Sequence, residues 1–258
     1  MIRVSKDWWK YFFNHTYLIT DARSILDNAL TRIEVNLLEK TLNLNKNDKI
    51  LDLFSGQGRH SLELAKRGYK YLTALDYSPY LIKLGKRKAK ETGLSIKFVK
   101  RDARYTNLKK EDYSVIFVMA NSFGYFADER ADLQVLKEIH RLLKRNGKLL
   151  LDLTDPDYVR NNLKPISWHK ATQSIIVFRK RELKKDLIKA REIVISKNGR
   201  LIRNGSYCER IYTKDKISHF LRRVGFKNIS IKKNVSLHKD IKDYGLMTSR
   251  MIVTAIKS

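Results

Sequence analysis

A single cysteine, Cys208, stands in the 258 residues of this chain. That excludes an intrachain disulfide and a cysteine-based zinc cluster. No apolar run reaches the ~18–20 residues that a membrane-spanning helix needs. Near the start, Lys6, Asp7 and Lys10 interrupt any apolar stretch a secretory leader would require. These absences set a reducing, cytoplasmic compartment as the expectation. Acids are also scarce: 27 Asp and Glu stand against 54 Lys and Arg, a formal net charge of +27. Such a balance suits RNA or an anionic surface when the charge forms a patch. Here it is spread along the chain, as a lysine-rich proteome bias also produces. No aromatic RNA-binding motif, internal repeat or low-complexity tail accompanies it.

Two nucleotide-binding signatures are missing where one would look for them. In the stretch 49–76, KILDLFSGQGRHSLELAKRGYKYLTALD, Gly56 and Gly58 are followed by Ser61 rather than a third glycine. A phosphate-binding loop ending in Gly-Lys-Ser/Thr is absent too. The stretch offers a nearly continuous apolar run (Ile50, Leu51, Leu53, Phe54), as in a parallel strand buried on both faces. A glycine loop follows, where the backbone can approach a ligand without a Cβ in the way. Next come a helix closing near Gly68 and a second strand ending in Asp76. In an open α/β sheet, ligands bind at that carboxyl edge.

The rest of the chain extends this alternation. The periodicity predicts a helix over 24–42, and another after Tyr77-Ser78-Pro79, with Ser78 as N-cap. Strands are predicted over 96–99, 113–119 and 148–153. Arg101-Asp102-Ala103 follows the first of these, and Asn121-Ser122-Phe123-Gly124-Tyr125-Phe126 the second. Residues 156–165 read as irregular and polar. Beyond them, 175–181, 187–196 and 201–212 alternate as antiparallel strands, with Asn198-Gly199 as a hairpin signal. Thr213 caps a helix that stops at Gly225, and two closing strands, 229–231 and 251–256, end the chain.

The order strand, D-x-F-x-G-x-G, helix, strand, acid resembles motif I and its acidic partner in class I S-adenosylmethionine (SAM)-dependent methyltransferases. NSFGYF, LKRNGKLLLDL and Glu209-Arg210-Ile211-Tyr212-Thr213 resemble stretches of a small-molecule subgroup that includes sugar and amine N-methyltransferases. The resemblance covers about residues 9–257. It implies a Rossmann-like, seven-stranded α/β sheet with helices on both faces and an antiparallel β insertion as a lid. The expected units are an aromatic N-terminal lid segment (1–46), the SAM-binding core (47–156), the insertion (157–212) and a closing helix and hairpin (213–258). The implied cofactor is SAM, held by Asp52, Ser55, Gly56, Gly58, Arg59, Asp76, Tyr77, Asp102, Ala103 and Asn121. Asp76 would take the ribose and Asp102 the adenine.

The implied activity is methyl transfer to nitrogen or oxygen of a small-molecule acceptor. An RNA methyltransferase and a non-catalytic SAM-binding protein are the alternatives. Asn121, Tyr125, Tyr11, His15 and Tyr212 are the candidate catalytic residues. Arg210, Tyr212 and Arg250 are the candidates for binding the acceptor, the arginines suiting a carboxylate or phosphate. His60 reads as loop support and His219 as structural. No metal site or nucleophile elbow is present, and a monomer or homodimer is expected.

Overall fold

The computed structural model describes residues 1–237 and 245–258. In chain order the elements are α1 (Trp9–Phe12), α2 (His15–Thr20), α3 (Ala22–Ile25), α4 (Asn28–Leu42), β1 (Lys49–Leu53), α5 (Arg59–Lys66), β2 (Tyr71–Asp76), α6 (Pro79–Glu91), β3 (Lys97–Lys100) and β4 (Tyr113–Val118). They continue with α7 (Glu129–Leu142), β5 (Leu143–Thr154), α8 (Pro156–Asn162), β6 (Ile166–Thr172), β7 (Ile175–Lys184), β8 (Leu187–Ser196), β9 (Leu201–Arg210), α9 (Lys214–Val224), β10 (Phe226–Val235) and β11 (Arg250–Lys257).

A seven-stranded sheet carries the order β10-β11-β5-β4-β1-β2-β3. β1 pairs in parallel with β2 (Leu53 opposite Leu75) and with β4 (Leu51 opposite Ile116). β11 enters antiparallel between β5 and β10. Successive residues of β1 feed opposite layers, as the strand period of two requires. Leu51 and Leu53 pack with Leu136 and Ile139 of α7 and Leu221 of α9, whereas Ile50 packs with Leu38 of α4 and Leu64 of α5. Each such fully buried side chain contributes about 1.5–3 kcal/mol. Both faces are therefore covered, which is why this strand reads as unbroken apolar sequence.

β6–β9 form a separate four-stranded antiparallel meander. The Asn198-Gly199 turn closes its last hairpin, Gly199 having φ 81°. The N-terminal helices lie between this meander and the large sheet. Trp8 Nε1 donates to Tyr125 O at 3.0 Å, and Ser78 Oγ donates to Phe13 O at 2.6 Å. Among the described residues no helix is long and apolar enough to cross a membrane.

Three local readings differ from the structure. The helix expected over 24–42 is interrupted, because the Asp27 side chain caps a fresh start by accepting from Leu30 N. The stretch read as irregular after 156 begins with helix α8, capped by Asp155 with Pro156 in its first turn. It is followed by β6, which no expectation included. The Ser78 and Thr213 caps stand as expected.

Candidate functional site

The site is built at the carboxyl ends of β1, β2, β3 and β4. After β1 the backbone turns left-handed at Phe54 (φ 60°) and Gly56 (φ 57°), and Gly58 (φ 72°) opens α5. Asp76 holds this loop from the neighbouring strand. Its carboxylate accepts from Gly56 N and Ser78 N, each at 2.8 Å. Burial pushes the Asp76 carboxyl up, and these backbone N–H groups oppose the shift.

Two connected chambers surround the loop. The upper one is walled by Asp76, Tyr77, Asp102, Ala103 and Gly56, and roofed by Trp9, Phe13, Tyr17 and Phe126. Asp102 is steadied by Arg104, whose Nη2 donates to Oδ2 at 2.6 Å and whose guanidinium stacks 4.6 Å from the Phe126 ring centroid. The lower chamber is walled by Asp52, Ser55, Gly56, Arg59, Met119 and Ala120. Asp52 accepts from Ser61 Oγ at 2.8 Å, and burial pushes its carboxyl up to about 7. The buried Ser55 Oγ has no partner among the described residues. A Cβ on Gly56 would meet only Leu81 Cδ1, at 3.8 Å, so the glycine leaves open space. Three carboxylates, a free hydroxyl and an open backbone cradle fit a cationic, hydroxyl-bearing ligand. SAM has that character: a sulfonium, an amine and two ribose hydroxyls.

A third cavity of about 170 Å³ lies between this edge and the four-stranded sheet. Trp8, Phe12, Phe13, Tyr17, Tyr125 and Tyr207 supply its apolar wall. Ala120 and Asn121 form its floor, both non-glycine residues in the left-handed region (φ 55° and 51°). Consecutive strain of that kind persists only where the surroundings impose it. Asp152 imposes it here: its Oδ2 accepts from Ala120 N and its backbone O from Asn121 N, each at 2.9 Å. Asn121 Oδ1 accepts from Thr154 N at 3.0 Å, and Asn121 Nδ2 donates to Glu209 Oε1. Burial pushes the Glu209 carboxyl up to about 7.

Behind that floor runs a buried ionic network. Glu34 accepts from Arg59, lies 3.0 Å from His60 Nε2, and pairs with Arg250 Nη2 at 2.7 Å. Arg250 Nη1 also donates to Asp152 Oδ2 at 2.8 Å. Burial opposes ionisation of Glu34, but Arg59, His60 and Arg250 together hold its carboxyl well below the usual range. Burial and the Arg59 charge lower His60 to about 4, so it is neutral at pH 7.

The structure thus brings Asp52, Ser55, Gly56, Arg59, Asp76, Tyr77, Asp102 and Ala103, all expected at the cofactor, to these two chambers. Gly58 lines neither; its missing side chain makes room for the Phe98 ring, 2.8 Å from where a Cβ would stand. Asn121 and Tyr125 line the third cavity. Tyr11 is 76% exposed, and His15 is exposed with its ring against Tyr80. Neither lines any of the three chambers. Arg210 and Tyr212 turn away from the third cavity: Arg210 pairs with Asp132 and Asp186, and Tyr212 Oη donates to Asp132 at 2.6 Å. Arg250 lines the cavity but is 2% exposed and already held by two carboxylates. Of these three expected acceptor residues, only Arg250 reaches the cavity; Arg210 is held by ion pairs and Tyr212 by a hydrogen bond to Asp132. His238, a further histidine that could serve as a general base by residue type, lies outside the described residues.

Sequence reasoning missed Tyr17, Arg181, Tyr207 and Glu209 as cavity residues. A signal existed. On a strand, Tyr207 and Glu209 share one face while Cys208 and Arg210 share the other. Choosing Arg210 selected the face that packs on the core.

A family model described as "Methyltransferase domain" matches residues 50–147. A Methanocaldococcus jannaschii protein described as "Putative protein N5-glutamine methyltransferase" is 38% identical over 151 residues, covering 51% of this chain and 76% of that one. A glycine/sarcosine N-methyltransferase of Parasynechococcus marenigrum is 28% identical over 126 residues, covering 48% of this chain and 44% of that one. Among solved structures, a SAM-dependent methyltransferase from Clostridium acetobutylicum shares the fold with a TM-score of 0.73 at 17% identity, over 94% of this chain and 97% of that one. The chain belongs to the SAM-dependent methyltransferase family. It spans only 20–56% of the length of the curated relatives it matches first.

Proposed function

We propose that this chain transfers a methyl group from SAM to a nitrogen or oxygen of a small molecule held in the cavity between the two sheets. One observation carries the proposal: Tyr17 and Tyr125 line both the upper cofactor chamber and the third cavity, so the two spaces meet at one wall. Bound SAM supplies a methyl group already activated on a sulfonium. The residues at the junction then have to orient and dehydrate rather than to activate. Holding an acceptor in line can contribute up to about 7–11 kcal/mol in ideal cases. The Tyr17 and Tyr125 rings present π faces where a cation is stabilised by about 0.5–2 kcal/mol. The cavity size and the glycine/sarcosine N-methyltransferase among the relatives support a small acceptor.

Isothermal titration calorimetry with SAM tests the cofactor half directly. Saturable binding is expected. Asp76→Ala removes the acceptor of the Gly56 and Ser78 N–H groups and the expected ribose partner, and should weaken it at least about tenfold, since bonds to charged groups contribute about 1.5–3 kcal/mol each. Absence of binding, or equal binding by Asp76→Ala, rejects the reading.

A further inference from the structure

Most charges lining the third cavity are already matched within the protein. Asp21 and Glu192 are taken by Arg179, and Glu192 also by Arg203. Glu34 is taken by Arg59 and Arg250, and Arg250 also by Asp152 behind the wall. Two groups are left over among the described residues. Glu209 is buried and receives only the neutral Asn121 amide. Arg181 donates through Nη1 to Ser167 Oγ at 2.8 Å and to Lys164 O at 3.4 Å, while its Nε is buried without a partner. Neither has an opposite charge in contact.

A buried acid without a counter-charge is costly, and such a group in a cleft marks a functional site; Glu209 is buried in this way, while Arg181 is partly buried with its Nε left unbonded. Here one acid and one base stand unpaired in the same cavity. The ligand that satisfies both carries one positive and one negative group. We propose that the methyl acceptor is an amine bearing an oxyanion group, a carboxylate or a phosphate, with its ammonium on Glu209 and its oxyanion on Arg181, and that Glu209 is the catalytic residue that takes the ammonium proton. This deepens the methyltransferase reading and rests on it.

The step balances as follows. R–NH3⁺ gives one proton to the Glu209 carboxylate, leaving R–NH2 and a neutral carboxyl. The freed nitrogen lone pair accepts the methyl carbon, and the carbon–sulfur bond breaks with its electrons remaining on sulfur. The secondary ammonium product departs, and the Glu209 proton is released to solvent. Burial supports this role by bringing Glu209 to about 7. An alkylammonium such as that of lysine titrates near 10.4, within reach of such a base, whereas an alcohol holds its proton far more tightly. The charged or titratable groups around Glu209 are Arg179 and Arg181 of β7, Glu192 of β8, Tyr207 of β9, Asp21 beside α2, Tyr17 of α2 and Tyr125. The arginines favour ionisation of Glu209, and Asp21 disfavours it.

The test offers tritiated SAM with a pool of α- and ω-amino acids, a pool of aminoalkyl phosphates including O-phosphoethanolamine, and matched controls: ethanolamine, butyrate and glycerol. Label should pass to one of the two zwitterion pools, which also tells carboxylate from phosphate. For the labelled zwitterion, log kcat/KM should rise with slope about one below pH 7 and level above. Glu209→Gln should lower kcat/KM at least about hundredfold and abolish that limb. Its SAM affinity and melting temperature should stay close to the parent's. Arg181→Gln should raise KM at least tenfold with kcat within twofold, Arg181→Lys should restore part of it, and thermal protection by the zwitterion beside S-adenosylhomocysteine should be lost in Arg181→Gln. If SAM binds but neither zwitterion pool is labelled, or controls are labelled as well, the inference falls and the cofactor reading stands. An unchanged pH limb in Glu209→Gln overturns the proton-accepting role. If SAM itself does not bind, the methyltransferase reading falls with it.

Discussion

Arg250 Nη2 lies 2.7 Å from Glu34 Oε1, joining the first residue of the last strand to the middle of α4 across more than two hundred residues of chain. With Asp152 on Nη1, the pair forms the rigid back wall of the cavity. Its role is to hold the Ala120–Asn121 turn, whose backbone leans on Asp152.

Removing Arg250 leaves two buried acids short of a partner. Breaking a buried pair from one side costs about 3–5 kcal/mol. At about 2–4 °C per kcal/mol for a chain of this size, Arg250→Leu should lower the melting temperature by roughly 6–20 °C. Thermal unfolding followed by circular dichroism checks it; a drop of only a degree or two would mean the network carries little stability.

Gly58 and Gly68 separate backbone strain from packing. Both have positive φ, 72° and 90°. A Cβ at Gly58 would stand 2.8 Å from Phe98 Cε1, whereas at Gly68 nothing lies within 4 Å. Gly68→Ala should cost about 1 kcal/mol, the left-handed penalty alone. Gly58→Ala should cost about 2–4 kcal/mol, because overpacking adds about 1–3. Urea denaturation of the two variants provides the comparison, and equal losses would contradict it.

Tyr212 is a structural residue in this geometry. Tyr212→Phe removes the hydroxyl that donates to Asp132, a carboxyl that burial has pushed up to about 7. The loss should be about 1–3 kcal/mol of stability. The KM for the acceptor should stay within twofold, since the side chain lines no part of the cavity. A large rise in KM with unchanged stability would restore Tyr212 to the acceptor site.

Asp52 makes stability depend on pH in a defined direction. Burial raises it to about 7 in the folded chain, while an unfolded aspartate titrates near 3.9. Between these values the folded state retains a proton that the unfolded state has lost. Stability from this group is therefore complete below about pH 4 and is lost as pH rises through about 7. Asp52→Asn should flatten that part of the curve, by up to about 1.4 kcal/mol per pH unit. Melting temperatures from pH 4 to 8 test this, and an unchanged profile would show that Asp52 does not titrate there.

The sheet and the clustering of the glycine loop with its acids were legible because their signals are local. Ile50, Leu51 and Leu53 announce a strand buried on both faces, and Gly56 and Asp76 are tied by one hydrogen bond between adjacent parallel strands. The Asp155-Pro156 start of α8 was also written locally, as a cap followed by proline, yet the polar run after it concealed the helix. β6 was hidden because its residues alternate only between partial and full exposure.

By itself the sequence determined the order of strands and helices in the large sheet, the glycine loop and the acids Asp52, Asp76 and Asp102 at its carboxyl edge. Period and turn chemistry act over a few residues and need no distant partner. Only the tertiary structure decided which charges are free. Glu34, Asp152 and Arg250 cancel one another although they are far apart in the chain, and Asp132 removes Arg210 and Tyr212 from the site. Glu209 and Arg181 are left over by that pairing. A charge becomes available to a ligand only when no other part of the fold has reached it, and that depends on three-dimensional packing.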